Sequence, residues 1–289
     1  MSWVSIDKEK CDSCGLCVGR CVRCFSVKEG EISVEANETN CNLCGHCVAL
    51  CPTMAITQHK MNMDGFVEYP ETVQFDTSQF IQFVRERRSH RNFKKKEIPL
   101  NDLETLVDLC RYVPTGSNVQ TFEILLVRDP ERIKKLSDMN VDFFKEMIDD
   151  VEQRAAKLVA NGKKIPEDLE YALETVVSRR NLVIARDAGM DPIFHKAPAV
   201  MIFHSPKLTS TPKDNCVIAA QTVVLAARTM GLETCYIGLF EAAANSYQPL
   251  IEELALPSGH SVYSVLILGY PRLKYLRAVD RKPMKVRWE

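Results

Sequence analysis

The sequence predicts an α+β protein of two unequal domains, on three observations. Nine of the twelve cysteines precede Pro52, so the composition changes abruptly at that point. At 289 residues the chain exceeds the usual size of one domain. Beyond residue 76, long helical patterns alternate with a few short apolar runs of strand character, the runs too few and the helices too long for a regular doubly wound sheet. The expected division is a small domain over residues 1–60, a connector over 61–76 and a larger domain over 77–289.

Charge and hydropathy exclude several classes. The 37 Lys and Arg balance 38 Asp and Glu, a formal net charge of −1, whereas a nucleic-acid surface needs a strongly basic domain. The start, Met1-Ser2-Trp3-Val4-Ser5-Ile6-Asp7, carries no basic segment followed by an apolar run and a cleavage site. No stretch reaches the ~18 apolar residues of a spanning helix; the apolar run Cys216–Ala227 is broken by Gln221 and Thr222. The expectation is a cytoplasmic protein without nucleic-acid or membrane partners, a compartment in which thiols stay reduced.

The first domain is defined by a repeat. Cys11-x2-Cys14-x2-Cys17-x3-Cys21 recurs as Cys41-x2-Cys44-x2-Cys47-x3-Cys51-Pro52. Cysteine pairs two residues apart also build four-thiolate zinc sites, but here each block offers three cysteines at that spacing plus a fourth, and then repeats. That is the spacing of iron–sulfur cubanes. The two blocks resemble the bacterial two-cluster ferredoxin over about residues 1–60, with Val22 standing where the second block has Pro52. In such ferredoxins the fourth cysteine of each block serves the other cluster. The resemblance therefore implies one [4Fe–4S] cluster on Cys11, Cys14, Cys17 and Cys51 and another on Cys41, Cys44, Cys47 and Cys21. Cys24 lies outside both motifs and reads as buried filler. Cys110, Cys216 and Cys235 are scattered and read as structural.

The second domain follows in order. Asp64-Gly65-Phe66 and Tyr69-Pro70 belong to the connector, and Asp76-Thr77-Ser78 caps the next helix. Asn101-Asp102-Leu103-Glu104 resembles a capping box opening a helix through Val113. Phe122–Val127 is a strand candidate, and Asp129-Pro130 restarts a helix as cap and first-turn proline. Two long helical patterns cover about 140–161, stopped by Asn161-Gly162, and 166–187, opened by Pro166. Strand patterns at 199–204 and 261–268 enclose a helix over about 214–230 that ends at Gly231.

Three segments carry chemistry. Arg87-Arg88-Ser89-His90-Arg91 ends the helix that begins near Ser78, and its guanidinium groups suit a phosphate. Alone, such a cluster more often decorates a solvated face. Pro114-Thr115-Gly116-Ser117-Asn118-Val119-Gln120 is a loop of small and hydrogen-bonding residues between helix and strand, and Cys235-Tyr236-Ile237-Gly238-Leu239 follows a helix. In this order and at these separations, the segments resemble the nitroreductase family of FMN-dependent enzymes over about residues 78–289. The resemblance implies a central mixed sheet flanked by helices, dimer-forming, with FMN at the subunit interface. It assigns Arg87, Arg88, Ser89 and Arg91 to the flavin phosphate and ribitol. Pro114, Thr115, Gly116, Ser117, Asn118 and Gln120 would reach the flavin of the partner subunit, with Thr115 and Gly116 departing from the usual serines. Ile237 and Gly238 would pack near the reactive flavin nitrogen, and Arg281 is the candidate for a basic residue near the C-terminus.

Many relatives carry glutamate where Ile237 stands, and no Gly-x-Gly-x-x-Gly fingerprint binds a dinucleotide here. The clusters are thus the expected electron entrance, fed by an external ferredoxin- or flavodoxin-type donor or by NAD(P)H. The resemblance implies reduction of a small conjugated or electron-poor acceptor: a nitro compound, quinone or activated alkene. A dehalogenase-like reaction and an electron relay or redox sensor serving a protein partner are the alternatives. No residue is required as a catalytic acid. His90, His195 and His204 read as structural, and Tyr236 and Phe240 read equally as pocket wall or core.

Overall fold

A computed structural model describes residues 2–69, 73–74 and 76–289. It divides into two compact units, Met1–Phe75 with Ser117–Val119, and Asp76–Gly116 with Gln120–Glu289. Pro70 of the expected connector lies outside the described residues.

The first unit is built twice over. Strand β1 (Val4–Ile6) leads to helix α1 (Leu16–Arg20), and β2 (Phe25–Lys28) and β3 (Glu31–Val34) lead to α2 (His46–Leu50) and β4 (Ile56–Gln58). Strands β1 and β4 pair antiparallel, as do β2 and β3. Local geometry repeats with the sequence. Ser13 and Gly15 before α1 take left-handed φ values of 58° and 74°, and Leu43 and Gly45 before α2 take 54° and 70°. The Cys11 amide donates to Asp7 O and the Cys41 amide to Asn37 O, at 3.0 and 2.9 Å. Left-handed backbone is unfavourable for serine and leucine, and its recurrence at equivalent positions shows one tight loop used twice. Val4, Phe25, Ala36 and Ile56 are buried between the two halves.

The second unit carries a four-stranded sheet. Its elements are α3 (Thr77–Glu86), α4 (Leu100–Leu109), β5 (Glu123–Val127), α5 (Pro130–Ala160), α6 (Glu167–Asp187), β6 (Ala199–Pro206), α7 (Pro212–Thr229), β7 (Glu233–Tyr236), α8 (Gly238–Ala244), α9 (Gln248–Leu254) and β8 (His260–Gly269). The strand order is β5-β6-β8-β7. The α+β class holds, but every pairing among the described strands of this sheet is antiparallel rather than mixed. The physical reason is the insertion of β8 between β6 and β7, which separates two strands of the same direction with one of the opposite direction. Strand β6 is buried on both faces. Val200 and Ile202 join Val265 and Ile267 on one side, while Ala199, Met201 and Phe203 meet Cys216, Ala220 and Val224 of α7 on the other.

Boundaries follow the local chemistry, with two corrections. Asp76 accepts from the Gln79 amide at 2.9 Å as the cap of α3, and Asp129 caps α5 with Pro130 in its first turn. The Asn101–Glu104 capping box does not form. Helix α4 begins at Leu100, with Pro99 at its cap position and no side-chain capping bond, and a 3₁₀ turn at Cys110–Tyr112 completes the segment to Val113. Proline's fixed φ already suits a helix start. The long pattern expected from about residue 140 is the continuation of the helix that starts at Pro130, because nothing between breaks it; the whole runs 31 residues to Ala160. Gly162 and Gly231 carry left-handed φ values of 66° and 73° just past α5 and α7.

Candidate functional site

In the first unit the cysteines line two separate cavities. Cys11, Cys14, Cys17 and Cys51 line one, with Ile6, Ile32 and Ile56. Cys21, Cys41, Cys44 and Cys47 line the other, of about 270 Å³, beside Val4 and Phe25. Each cavity thus takes three cysteines from one sequence block and the last from the other. All these thiols are free. Two of the sulfurs accept hydrogen bonds: Cys51 Sγ from the Ala55 amide at 3.3 Å, and Cys41 Sγ from Gln58 Nε2 at 3.6 Å, whereas burial raises the pKa of Cys17 and pushes that of Cys47 to about 11. Burial pushes the Cys51 thiol up, yet the Thr53 hydroxyl and neighbouring amides outweigh it and leave its pKa lowered. Four soft donors around an apolar-walled space fit an iron–sulfur cubane. Cys24 shares the second cavity but donates its S–H to Asn40 O at 3.4 Å, and burial with the neighbouring Cys21 and Cys41 pushes its pKa to about 12. It remains a thiol.

In the second unit the arginine segment is held against the end of β7. The His90 amide donates to Thr234 O at 3.0 Å, and further on the Lys94 amide donates to Tyr270 O at 2.8 Å. Gly269 makes this approach possible, since a Cβ there would stand 2.7 Å from Pro198 Cδ and 2.9 Å from Phe93 Cδ1. Arg228 of α7 fixes the helix behind: its Nη1 donates to Phe83 O at 2.7 Å and its guanidinium lies over the Phe83 ring.

The result is a pocket of about 500 Å³. Arg91 lines it together with Tyr236, Ile237, Gly238, His195, Phe144 of α5 and Arg179 of α6. Arg87 is close enough to oppose the rise that burial imposes on Tyr236, whose pKa is pushed to about 12. Arg88 Nε and Nη2 and Arg179 Nε are buried without hydrogen-bond partners, although Arg88 Nη1 donates to Arg85 O and Arg87 O. Unpaired buried guanidinium donors are costly alone and are satisfied by an anionic group. A Cβ at Gly238 would meet nothing within 4 Å, so the floor beside Ile237 is open. An apolar, aromatic-walled space edged by guanidinium groups fits a flavin mononucleotide.

Other expected site residues are placed elsewhere. Thr115 and Gln120 line a second cavity of about 540 Å³ with Tyr112, Phe122 and Glu123, and it shares no lining residue with the Arg91 pocket. Pro114 and Gly116 belong to the same unit, and the Gly116 amide donates to Asn215 Oδ1 at 2.9 Å. Ser117 and Asn118 group with the first unit, where Asn118 Nδ2 donates to Asn42 O and Leu43 O. Ser89 is exposed on the arginine segment. Arg281 is exposed in the coil after β8, where its Nη1 donates to Asp280 O at 3.5 Å, and it does not line the Arg91 pocket. Phe240 is fully buried against Phe194 and belongs to the core.

Two features escaped sequence reasoning. Arg179 is one of many charges on a long helix and nothing in its neighbours marks it. His195 reaches the pocket because Asp191 organises the preceding turn, accepting from the Ile193, Phe194 and Lys196 amides and from Ser137 Oγ at 2.6 Å. Asp191-Pro192 was the available signal for such a turn. Burial lowers the His195 pKa, with Asp191 opposing and Arg91 adding to the effect.

A pocket of this size edged by Arg91 and Arg179 suits an anionic ligand with a planar ring. Comparison with known proteins gives the family. Residues 84–270 match the model of the Nitroreductase family, and the chain belongs to it, as an FMN-dependent oxidoreductase; residues 34–57 match a 4Fe-4S binding domain. A 4-nitrobenzoate reductase of Pseudomonas putida is 27% identical, covering 67% of this chain and 86% of its own length. One of Nocardioides sp. is 24% identical over 71% of this chain and 87% of its own. A nitroreductase with bound FMN from Bacteroides fragilis shares the fold with a TM-score of 0.50 at 20% identity, over 72% of this chain and 96% of that one. A BluB-like flavoprotein from Clostridium difficile shares it with a TM-score of 0.53 at 14% identity, over 71% and 94%. No helix of the described residues is long and apolar enough to cross a membrane.

Proposed function

We propose that the chain takes in electrons through two [4Fe–4S] clusters, held by Cys11, Cys14, Cys17, Cys51 and by Cys41, Cys44, Cys47, Cys21, and reduces a small electron-poor acceptor such as a nitro compound, quinone or activated alkene. The observation that carries this reading is the pair of cavities, each lined by one complete crossed set of four cysteines. The match of a 4Fe-4S domain to residues 34–57 supports the second block, and the nitroaromatic reductases among the relatives support the acceptor class.

FMN bound in the Arg91 pocket supplies a ring that accepts electrons singly and delivers them as a hydride. The chain's own part is positional and electrostatic. Arg91 brings positive charge to the pocket edge for the flavin phosphate and ribitol, with Arg87 near enough to act on Tyr236 and Arg88 keeping two buried donors unpaired, and the wall at Gly238 is unobstructed. Tyr236 stays protonated, and the neutral His195 adds no charge at neutral pH. Thr115 and Gln120 line a separate cavity, which supports a homodimer in which the Pro114–Gln120 loop serves the flavin of a second copy.

Anaerobic purification followed by iron, sulfide and FMN quantification tests the cofactor set. About eight irons and one FMN per chain are expected from eight thiolate ligands, and four irons or bound zinc would overturn it. For the donor, a Cys47→Ser chain should lose nitroaromatic reduction driven by a reduced ferredoxin. Rapid anaerobic bleaching of the flavin of that variant by NADH or NADPH would overturn entry through the clusters.

A further inference from the structure

We propose that Glu123, His204 and His260 form a binding site for one divalent first-row transition-metal ion on the sheet of the second unit, separate from the Arg91 pocket. The three residues come from three adjacent strands, β5, β6 and β8. Each offers one donor atom, and the three atoms lie within 4.8 Å of one another. His204 Nδ1 stands 2.9 Å from His260 Nδ1, the pair of nitrogens that would face the ion, and Glu123 Oε1 lies beside the same His260 ring, 3.9 Å from its other nitrogen, Nε2.

A break in strand register creates this arrangement. Glu123 is paired directly with His204 across β5 and β6, so both side chains share a face. Between β6 and β8 the register slips once: Phe203 pairs with Ser264, but His204 pairs with Val262, not with Tyr263. Side chains alternate along a strand, so a one-residue slip changes which of them face together. In unbroken register His204 would share its face with Tyr263, and His260 would point to the opposite side. After the slip His204 shares its face with Val262 and, two residues along, with His260. The bulge thus brings two imidazoles together.

The donor set is that of a transition-metal site. Two imidazoles and one carboxylate suit first-row ions and leave coordination positions open. With metal–nitrogen bonds of about 2.0–2.1 Å, a nitrogen separation of 2.9 Å subtends roughly 90° at the ion. That is the angle between neighbouring positions of a square-planar or octahedral site, so Ni²⁺ fits better than an ion demanding a tetrahedron. His204 is 4% exposed and therefore held in place, whereas the Glu123 side chain is 55% exposed and free to close on an ion. The alternative to an ion is a single proton shared between the two rings.

The test uses the full, cofactor-loaded chain without a histidine tag, dialysed anaerobically against Ni²⁺. The expected result is one Ni²⁺ per chain with only nitrogen and oxygen scatterers in the nickel K-edge X-ray absorption. His260→Asn should lose this equivalent. Glu123→Gln should raise the Ni²⁺ dissociation constant by at least about tenfold, the effect of removing even an outer-sphere partner of a metal ligand. No stoichiometric binding, sulfur scatterers, or binding undiminished in Glu123→Gln would overturn the site. Should His260→Asn fail to fold, judged by far-ultraviolet circular dichroism and flavin content, the exposed Glu123 position decides.

Discussion

Asn245 holds Val262 by both of its backbone groups. Its Nδ2 donates to Val262 O at 2.7 Å, and its Oδ1 accepts from the Val262 amide at 2.9 Å. Val262 is the residue that faces His204 just past the register slip of β6 and β8, where the ladder leaves backbone groups to be satisfied by other means. A side chain from the segment after α8 supplies both bonds. Asn245→Ala should lower unfolding stability by about 2–3 kcal/mol, the cost of leaving buried backbone partners unsatisfied, measured by urea denaturation. An unchanged midpoint would show that the irregular strand pair supports itself.

Arg91 lies on the pocket edge with Ile237 and Gly238. A charge-assisted hydrogen bond contributes about 1.5–3 kcal/mol, so Arg91→Gln should weaken FMN binding by roughly ten- to a hundredfold. Flavin retained after gel filtration and fluorescence titration of the apoprotein measure this. Retention equal to the parent chain would remove Arg91 from the flavin site.

The crossed cavities make a prediction that an uncrossed arrangement does not. Cys21→Ser should disturb the cavity lined by Cys41, Cys44 and Cys47, and Cys51→Ser the one lined by Cys11, Cys14 and Cys17. Combining Cys21→Ser with Cys44→Ser should therefore cost one cluster, about four irons, whereas combining it with Cys14→Ser should cost both. Iron quantification and electron paramagnetic resonance of the reduced protein distinguish the two patterns. Equal loss in the two double variants would contradict crossing.

His90 is 5% exposed, and burial lowers its pKa below the ordinary 6.5, with Arg228 adding to the effect. The unfolded chain therefore binds a proton that the folded chain does not. The resulting stability is present above pH 6.5 and is lost as pH falls through that value toward the folded pKa. The urea midpoint should drop between pH 7.5 and pH 5.5, and the drop should be smaller in His90→Asn. An identical pH dependence in the variant would place the acid sensitivity elsewhere.

Much of the architecture was legible because it rests on local chemistry. The cysteine spacing marked both loops of the first unit, and Asp76, Asp129, Gly162 and Gly231 marked helix ends through capping bonds and left-handed backbone. The Asn101–Glu104 segment misled because Pro99, two residues ahead of it, had already set the start of α4 at Leu100. Sheet order was not legible, since β8 pairs with β6 and β7 across long sequence separations that no local pattern records.

The site divides in the same way. Arg87–Arg91 and Ile237-Gly238 could be singled out as contiguous motifs, and Arg91, Ile237 and Gly238 line one pocket. Arg179 and His195 join it only through tertiary packing, Arg179 over Phe144 and His195 through the turn that Asp191 holds. His204 looked ordinary in sequence because its partner His260 is 56 residues away and reaches it through a one-residue slip.

The exchange of last cysteines between the two halves of the first unit has a consequence for assembly. Each cavity draws on both halves, so an occupant of either is a cross-link between segments some forty and twenty residues apart, Cys11 to Cys51 and Cys21 to Cys41. Closing such loops restricts the unfolded chain, and the first clasp made aligns the halves for the second. The two halves are therefore interlocked like the links of a buckle, and damage at one clasp loosens the other.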